Sequence, residues 1–129
     1  MEIRIIMPDG IFYEGQADFI EFTSVNGQMG VYENHIPLTT ILEPCVVKLR
    51  EGTTEKKAAV LGGFVEIQKH KITMLAEDAN WPEEIDLERA KAAKERAETR
   101  LRRKESGTDI DRAEAALKRA MARILVTKN

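Results

Sequence analysis

Apolar and polar residues alternate in short runs over the first 80 positions. Glu2-Ile3-Arg4-Ile5 alternates, Ile20 and Phe22 alternate with Glu21 and Thr23, and Val47 and Leu49 alternate with Lys48 and Arg50. A period of two is the mark of a strand with one face buried. Ala58 to Leu61 leads into Gly62-Gly63, then Phe64 to Ile67, and Ile72 to Leu75 follows a polar tip at Gln68 to Lys71. Turn chemistry separates these runs at Pro8-Asp9-Gly10, Asn26-Gly27 and Glu51-Gly52, where proline presets φ and glycine permits positive φ. Gly62-Gly63 precedes a strand-like run and reads as a bulge or a close backbone approach. Several short strands at this spacing predict a sandwich or flattened barrel.

After residue 80 the period changes. Leu87, Ala90, Ala93, Ala97 and Leu101 recur at intervals of three and four, and so do Ile110, Ala113, Leu117, Met121 and Ile124. Each set is a helical stripe. Asn80 is the expected cap of the first helix, with Glu83 three residues later completing a capping box. Ser106-Gly107 breaks the pattern, and Thr108 or Asp109 is expected to cap the second helix. So short a break predicts an antiparallel hairpin. Both stripes lean on alanine, which buries little area at about 25 cal/mol per Å². The hairpin is therefore expected to be marginal by itself and able to detach or re-dock.

Charge divides the chain at the same place. Of 129 residues, those in 1–80 carry 7 Lys+Arg and 12 Asp+Glu, a net of −5, whereas those in 81–129 carry 13 and 10, a net of +3. Two units result: a docking domain at 1–80 and a helical domain at 81–129. The overall charge of −2 gives no drive toward nucleic acid. A single cysteine, Cys45, forms no internal disulfide and fits a reducing compartment. The expected picture is a soluble cytoplasmic protein, without signal peptide or membrane span.

Catalytic chemistry is hard to place. His35 sits in a Gly- and Pro-bounded loop and His70 at a hairpin tip, neither with a second ligand at metal spacing. No GxGxxG, GxxxxGK[ST] or GxSxG pattern occurs. One charged group stands out. At 100° per residue Asp86, Arg89 and Arg96 fall within about 80° on the first helix, and Arg112, Arg119 and Arg123 share a face of the second. Guanidinium forks match phosphate oxygens, so the faces together suit an anion pocket. From spacing alone the commoner reading of such faces is a solvated surface with local ion pairs.

The run from Gly27 to Leu42, through Val31-Tyr32-Glu33-Asn34-His35-Ile36-Pro37-Leu38, resembles the signature stretch of the epsilon subunit family of bacterial F-type ATP synthases. Gly62-Gly63-Phe64-Val65-Glu66-Ile67 with Ile72 to Leu75 resembles its second signature. Ile85 to Ala90 and Arg112 to Met121 resemble its helical tail. The resemblance implies a ten-stranded β-sandwich followed by a C-terminal antiparallel two-helix hairpin. It implies a non-catalytic place in the central stalk, beside the gamma subunit and on the c-ring, with Gln28, His35, Pro37 and Leu38 at partner contacts. The membrane is then reached only through the complex, at its cytoplasmic face. It implies a tail that extends into the alpha/beta catalytic head and inhibits ATP hydrolysis, presenting Arg112, Lys118, Arg119 and Arg123.

Some members of that family bind ATP in the folded hairpin through an Ile/Leu-Asp-x-x-Arg-Ala motif. Ile85, Asp86, Arg89 and Ala90 match it, and Arg96, Arg119 and Arg123 fall on further binding positions. ATP is thus the regulatory ligand implied, bound without hydrolysis, with no other cofactor required. Three positions depart from the family pattern: Asn80 and Gln28 stand where acids are usual, and Cys45 where glycine is. The alternative function is a free nucleotide-sensing module.

Overall fold

The computed structural model describes residues 1–103, 107 and 109–128. Eight strands come first: β1 (Glu2–Met7), β2 (Gly10–Gln16), β3 (Phe19–Ser24), β4 (Gly27–Tyr32), β5 (Leu38–Glu51), β6 (Thr54–Ile67), β7 (Lys71–Ala76) and β8 (Ala79–Asn80). A 3-10 turn (Pro82–Glu84) leads to α1 (Leu87–Arg103) and α2 (Ile110–Val126). Among the described residues no helix is long and apolar enough to cross a membrane.

The strands join in the order β2-β1-β7-β6-β5-β3-β4, with β8 paired to β6. Every pairing is antiparallel except β1 with β7. Ile3 and Ile5 of β1 share one buried cluster with Ile20 and Phe22 of β3, Val31 of β4 and Met74 of β7. Strands that far apart in the pairing order meet only if the sheet folds over on itself. The alternation of β1, β3 and β7 explains which face turns inward: every second residue is apolar, and those are the ones enclosed.

The family resemblance implies ten strands, and the structure corrects this to eight. β5 and β6 each run for 14 residues. Their ladder skips between the pairs Leu42↔Gly63 and Pro44↔Leu61. Dividing both strands at that point would yield ten; the chain passes through without a break. Gly62 and Gly63 hold positive φ here, +95° and +125°. A Cβ on Gly63 would lie 2.0 Å from the Leu75 carbonyl oxygen, so β6 and β7 approach more closely than any side chain allows.

Two helix expectations also need correction. Asn80 does not cap α1. The Trp81 N–H is taken by Glu84 rather than Glu83 completing a box, with Glu84 Oε1 accepting at 2.8 Å. Ile85 is extended, at φ −87° and ψ 127°, so α1 begins only after Asp86, whose Oδ1 accepts from Arg89 N at 3.1 Å. For α2, Asp109 is the cap, accepting from Arg112 N at 3.0 Å. Ser106 and Thr108 lie outside the described residues.

The second stripe is also redrawn. Met121 is 50% exposed and Ile110 37%, whereas Ala113, Ala120, Ala122 and Val126 are buried. Ala113 and Ala120 lie on one side of α2. Ala122 is about 180° away at 100° per residue. There Ala122 and Val126 pack on Ala59 and Leu61 of β6, with Val46 and Ile85 alongside. α2 therefore has two apolar sides, one for α1 and one for the sheet, where one stripe was expected.

Candidate functional site

Three of the five expected nucleotide residues come together. Asp86, Arg89 and Arg123 line one cavity of about 290 Å³, with Asn80, Glu84, Ile85, Ala90 and Ala93. The cavity opens where the 3-10 turn meets the two helices. Asp86 reaches it because it caps α1, and Arg89 follows in the first turn. Arg123 arrives from the last turn of α2. Its Nε donates to Asn80 Oδ1 at 3.0 Å and its Nη2 to Asp78 Oδ2 at 3.1 Å. Two guanidinium groups thus face two carboxylates, Glu84 and Asp86, with Asp78 beside them. The lining alone is balanced in charge, two against two, Asp78 adds a third carboxylate, and Arg123 is already engaged. Arg96 lines a different depression, with Ala92, Glu95, Thr99, Arg100 and Arg103. Arg119, half-buried on α2, lines neither.

Asp78 carries no site signal in the sequence, whereas Asn80 is marked both as a cap and as a departure from the family's acidic residue. Both acquire their role from α2, which returns to them 45 and 43 residues later.

The expected partner-contact residues are spread out. His35 is half-buried in the loop after β4, its Nδ1 donating to Ile36 O at 2.7 Å, while Pro37 and Leu38 are exposed. The loop is pinned at its start. Asn34, at φ +68°, donates its N–H to Lys69 O at 2.9 Å. Glu33 pairs with the Met1 amino group at 2.6 Å and with His70. The Met1 ammonium first, and His70 next, hold the Glu33 carboxyl below its ordinary range. Gln28 is at the opposite end of β4, its amide donating to Glu21, and belongs to a different surface. Arg112 is exposed beside the α2 cap, and Lys118 pairs with Glu43 across to β5 at 3.4 Å.

Cys45 is buried and its Sγ accepts from Thr23 N at 3.4 Å. Burial pushes its thiol up to about 11.

A further surface lies on the outer face of the folded sheet. Ile11, Ile6, Leu75, Phe64 and Ile41 are consecutive cross-strand partners on β2, β1, β7, β6 and β5. Val25 adjoins the row, donating its N–H to Ile41 O at 3.0 Å. All except Ile6 are at least 50% exposed. A continuous apolar row of this kind marks a contact surface rather than ordinary exposure. Its signal in the sequence is doubled apolar residues. Ile5-Ile6, Ile41-Leu42, Phe64-Val65 and Met74-Leu75 each place one residue inward and one outward, where strict alternation would set a polar one.

Known proteins carry the same plan. At 43% identity over 125 residues, the ATP synthase epsilon chain of Halalkalibacterium halodurans aligns with 96% of this chain and 94% of its own length. That of Brevibacillus brevis is 46% identical over 129 residues, covering 99% and 98%. Among solved structures, a chain of Euglena gracilis mitochondrial ATP synthase, in its OSCP/F1/c-ring, superposes with a TM-score of 0.81 at 22% identity, over 93% of this chain and 76% of that one. One from the central stalk and c-ring of the Tetrahymena thermophila enzyme superposes at 0.62 and 14% identity, over 99% and 96%. Residues 1–82 match the family described as ATP synthase, Delta/Epsilon chain, beta-sandwich domain, and residues 83–128 the one described as ATP synthase, Delta/Epsilon chain, long alpha-helix domain. With both halves matched in order over nearly its whole length, the chain belongs to the ATP synthase delta/epsilon family.

Proposed function

We propose that the chain is a non-catalytic stalk subunit that docks through its sandwich and regulates through its hairpin. The observation that carries the docking half is the apolar row Ile11–Ile6–Leu75–Phe64–Ile41. Five strands present it on one face, and water is its poorest neighbour. Its partner in this reading is the gamma subunit, the rotor shaft. The pinned loop from His35 to Leu38 projects from the sheet and contacts the c-ring, so the subunit is peripheral and meets the membrane only through the complex.

The hairpin supplies regulation. Docked, it rests on the small patch around Leu61 and Val126 and on the Arg123 contacts. Extended, it presents Arg112, Lys118, Arg119 and Arg123 to acidic segments of the catalytic head and slows ATP hydrolysis. ATP enters the cavity at Asp86, Arg89 and Arg123 and favours the docked form. Arg123 must then exchange Asp78 for phosphate oxygens.

Co-purification of tagged chain with gamma tests the docking half. Phe64→Glu with Leu75→Glu alters exposed positions, so the fold persists while recovery of gamma falls at least about tenfold, as expected for charges placed in an apolar contact. Undiminished recovery from this folded variant would sink the assignment.

A further inference from the structure

A second cavity, of about 540 Å³, runs between the hairpin, with Lys94 of α1 and the second half of α2, and the strands β3, β4 and β5. Its volume is in the range of sites for small organic ligands. It is separate from the cavity at Arg89 and from the apolar row. Pro44 and Val46 form one wall, and Met121, Ala122 and Leu125 the other. Met121 and Leu125 are 50% and 58% exposed and form an apolar lip on the groove.

One end of this groove is cationic. Lys48 and Lys128 line it. Lys57 stands directly opposite Lys48 in the β5–β6 ladder, and its Nζ donates to Lys128 O at 3.1 Å. Like charges directly opposite on a sheet repel. Among the described residues no ion pair reaches any of these three, whereas Lys118, farther back along α2, is satisfied by Glu43. Glu21 also borders the groove, as the β3 partner of Lys48; its carboxylate takes the neutral Gln28 amide and offsets one of the three lysine charges, so the end keeps a net positive charge. From Lys118 to its end at Val126 the helix runs about 12 Å at 1.5 Å per residue, the reach of an extended medium-length acyl chain.

We infer that this groove is a binding site for a single-chain amphipathic anion, an acyl carboxylate whose tail lies on Val46, Met121 and Leu125 and whose head sits among Lys48, Lys57 and Lys128. The tail covers apolar surface that is otherwise wet. The head relieves the repulsion between the lysines and gains charge-assisted hydrogen bonds. Because its walls come from β5 and α2, the ligand holds the hairpin to the sandwich.

Methyl NMR of the full chain titrated with monomeric dodecanoate tests this. The expected result is a saturable shift at Val46, Met121 and Leu125, none with the uncharged dodecyl maltoside, and about tenfold weaker binding in Lys48→Ala/Lys128→Ala. Both lysines are exposed, so this variant keeps its fold. Unchanged affinity in the variant, equal shifts at Phe64 and Leu75, or a response only to phosphatidylglycerol vesicles would each overturn the proposal.

Discussion

Cys45 shows how one position changes character between sequence and fold. In the sequence it is a lone thiol beside a proline. In the fold it is buried on β5 and accepts a backbone N–H from Thr23. Burial raises its thiol from 9.0 to about 11. The neutral form is thus favoured in the native state, and the native state keeps its proton between those two values while the unfolded chain loses it. Stability is therefore undiminished below about pH 9 and falls as pH rises toward 11, by up to about 3 kcal/mol. Urea unfolding across that window is expected to show a steeper decline in the native chain than in Cys45→Ala, where Tyr13, whose hydroxyl is also pushed up by burial, still contributes. Alkylation by iodoacetamide at about pH 8 is expected to run about a hundredfold slower than for a free thiol, from the thiolate fraction alone. A rate equal to that of a free thiol would contradict the buried placement.

At the scale of elements, the contact between α2 and the sheet governs behaviour. Its apolar part is small: Ala122 and Val126 against Ala59 and Leu61. Polar contacts supplement it, from Arg123 to Asp78 and Asn80, and from Lys118 to Glu43. Asp78 is half exposed and Arg123 about one-third, so solvent screens the pair and it contributes about 0.5–1 kcal/mol. Asp78→Ala is therefore expected to lower hydrogen-exchange protection in α2 by about two- to fivefold, leaving β1, β3 and β7 unchanged. Unchanged α2 protection would show that Arg123 does not hold the hairpin. The same substitution releases the Arg123 Nη2 group in the cavity with Arg89, so in the ATP-binding reading proposed above the affinity is expected to rise rather than fall.

For the whole molecule, one side chain just past the expected division packs with the sandwich. Trp81 stacks on Phe12 with ring centroids 4.6 Å apart and meets Tyr13 edge-on at 6.0 Å. It packs against the sandwich core, although it lies past the expected boundary at residue 80. The main cluster draws no residue from α1 or α2, so the sandwich is expected to fold without them. A fragment ending at Glu84 should melt cooperatively. One ending at Asn80 should melt lower by about 5–10 °C, the equivalent of losing about 1–2 kcal/mol of aromatic packing in a domain of this size. Circular dichroism melts of the two fragments would decide it, and identical melting temperatures would return the boundary to residue 80.

Much of this architecture was determined locally. The alternation at Ile3/Ile5 and Ile20/Phe22, the turn at Asn26-Gly27 and the alanine-rich periods after residue 86 are nearest-neighbour properties of the chain. They specify strand, turn and helix without knowledge of the rest. The Gly62-Gly63 pair likewise marks a bulge or a close approach, and the doubled apolar residues at Phe64-Val65 and Met74-Leu75 carry the outer row in the sequence itself. Other features exist only after distant segments meet. The unbroken length of β5 and β6 depends on each supplying the other's hydrogen bonds over 14 residues. The second apolar side of α2 depends on the sheet beneath it. The company of Arg123 depends on Asp78 and Asn80, more than 40 residues earlier. Helical period tells which residues of α2 share a side, but not which neighbour each side meets. That choice separates Arg123, inside the cavity, from Arg119, one turn away and outside it.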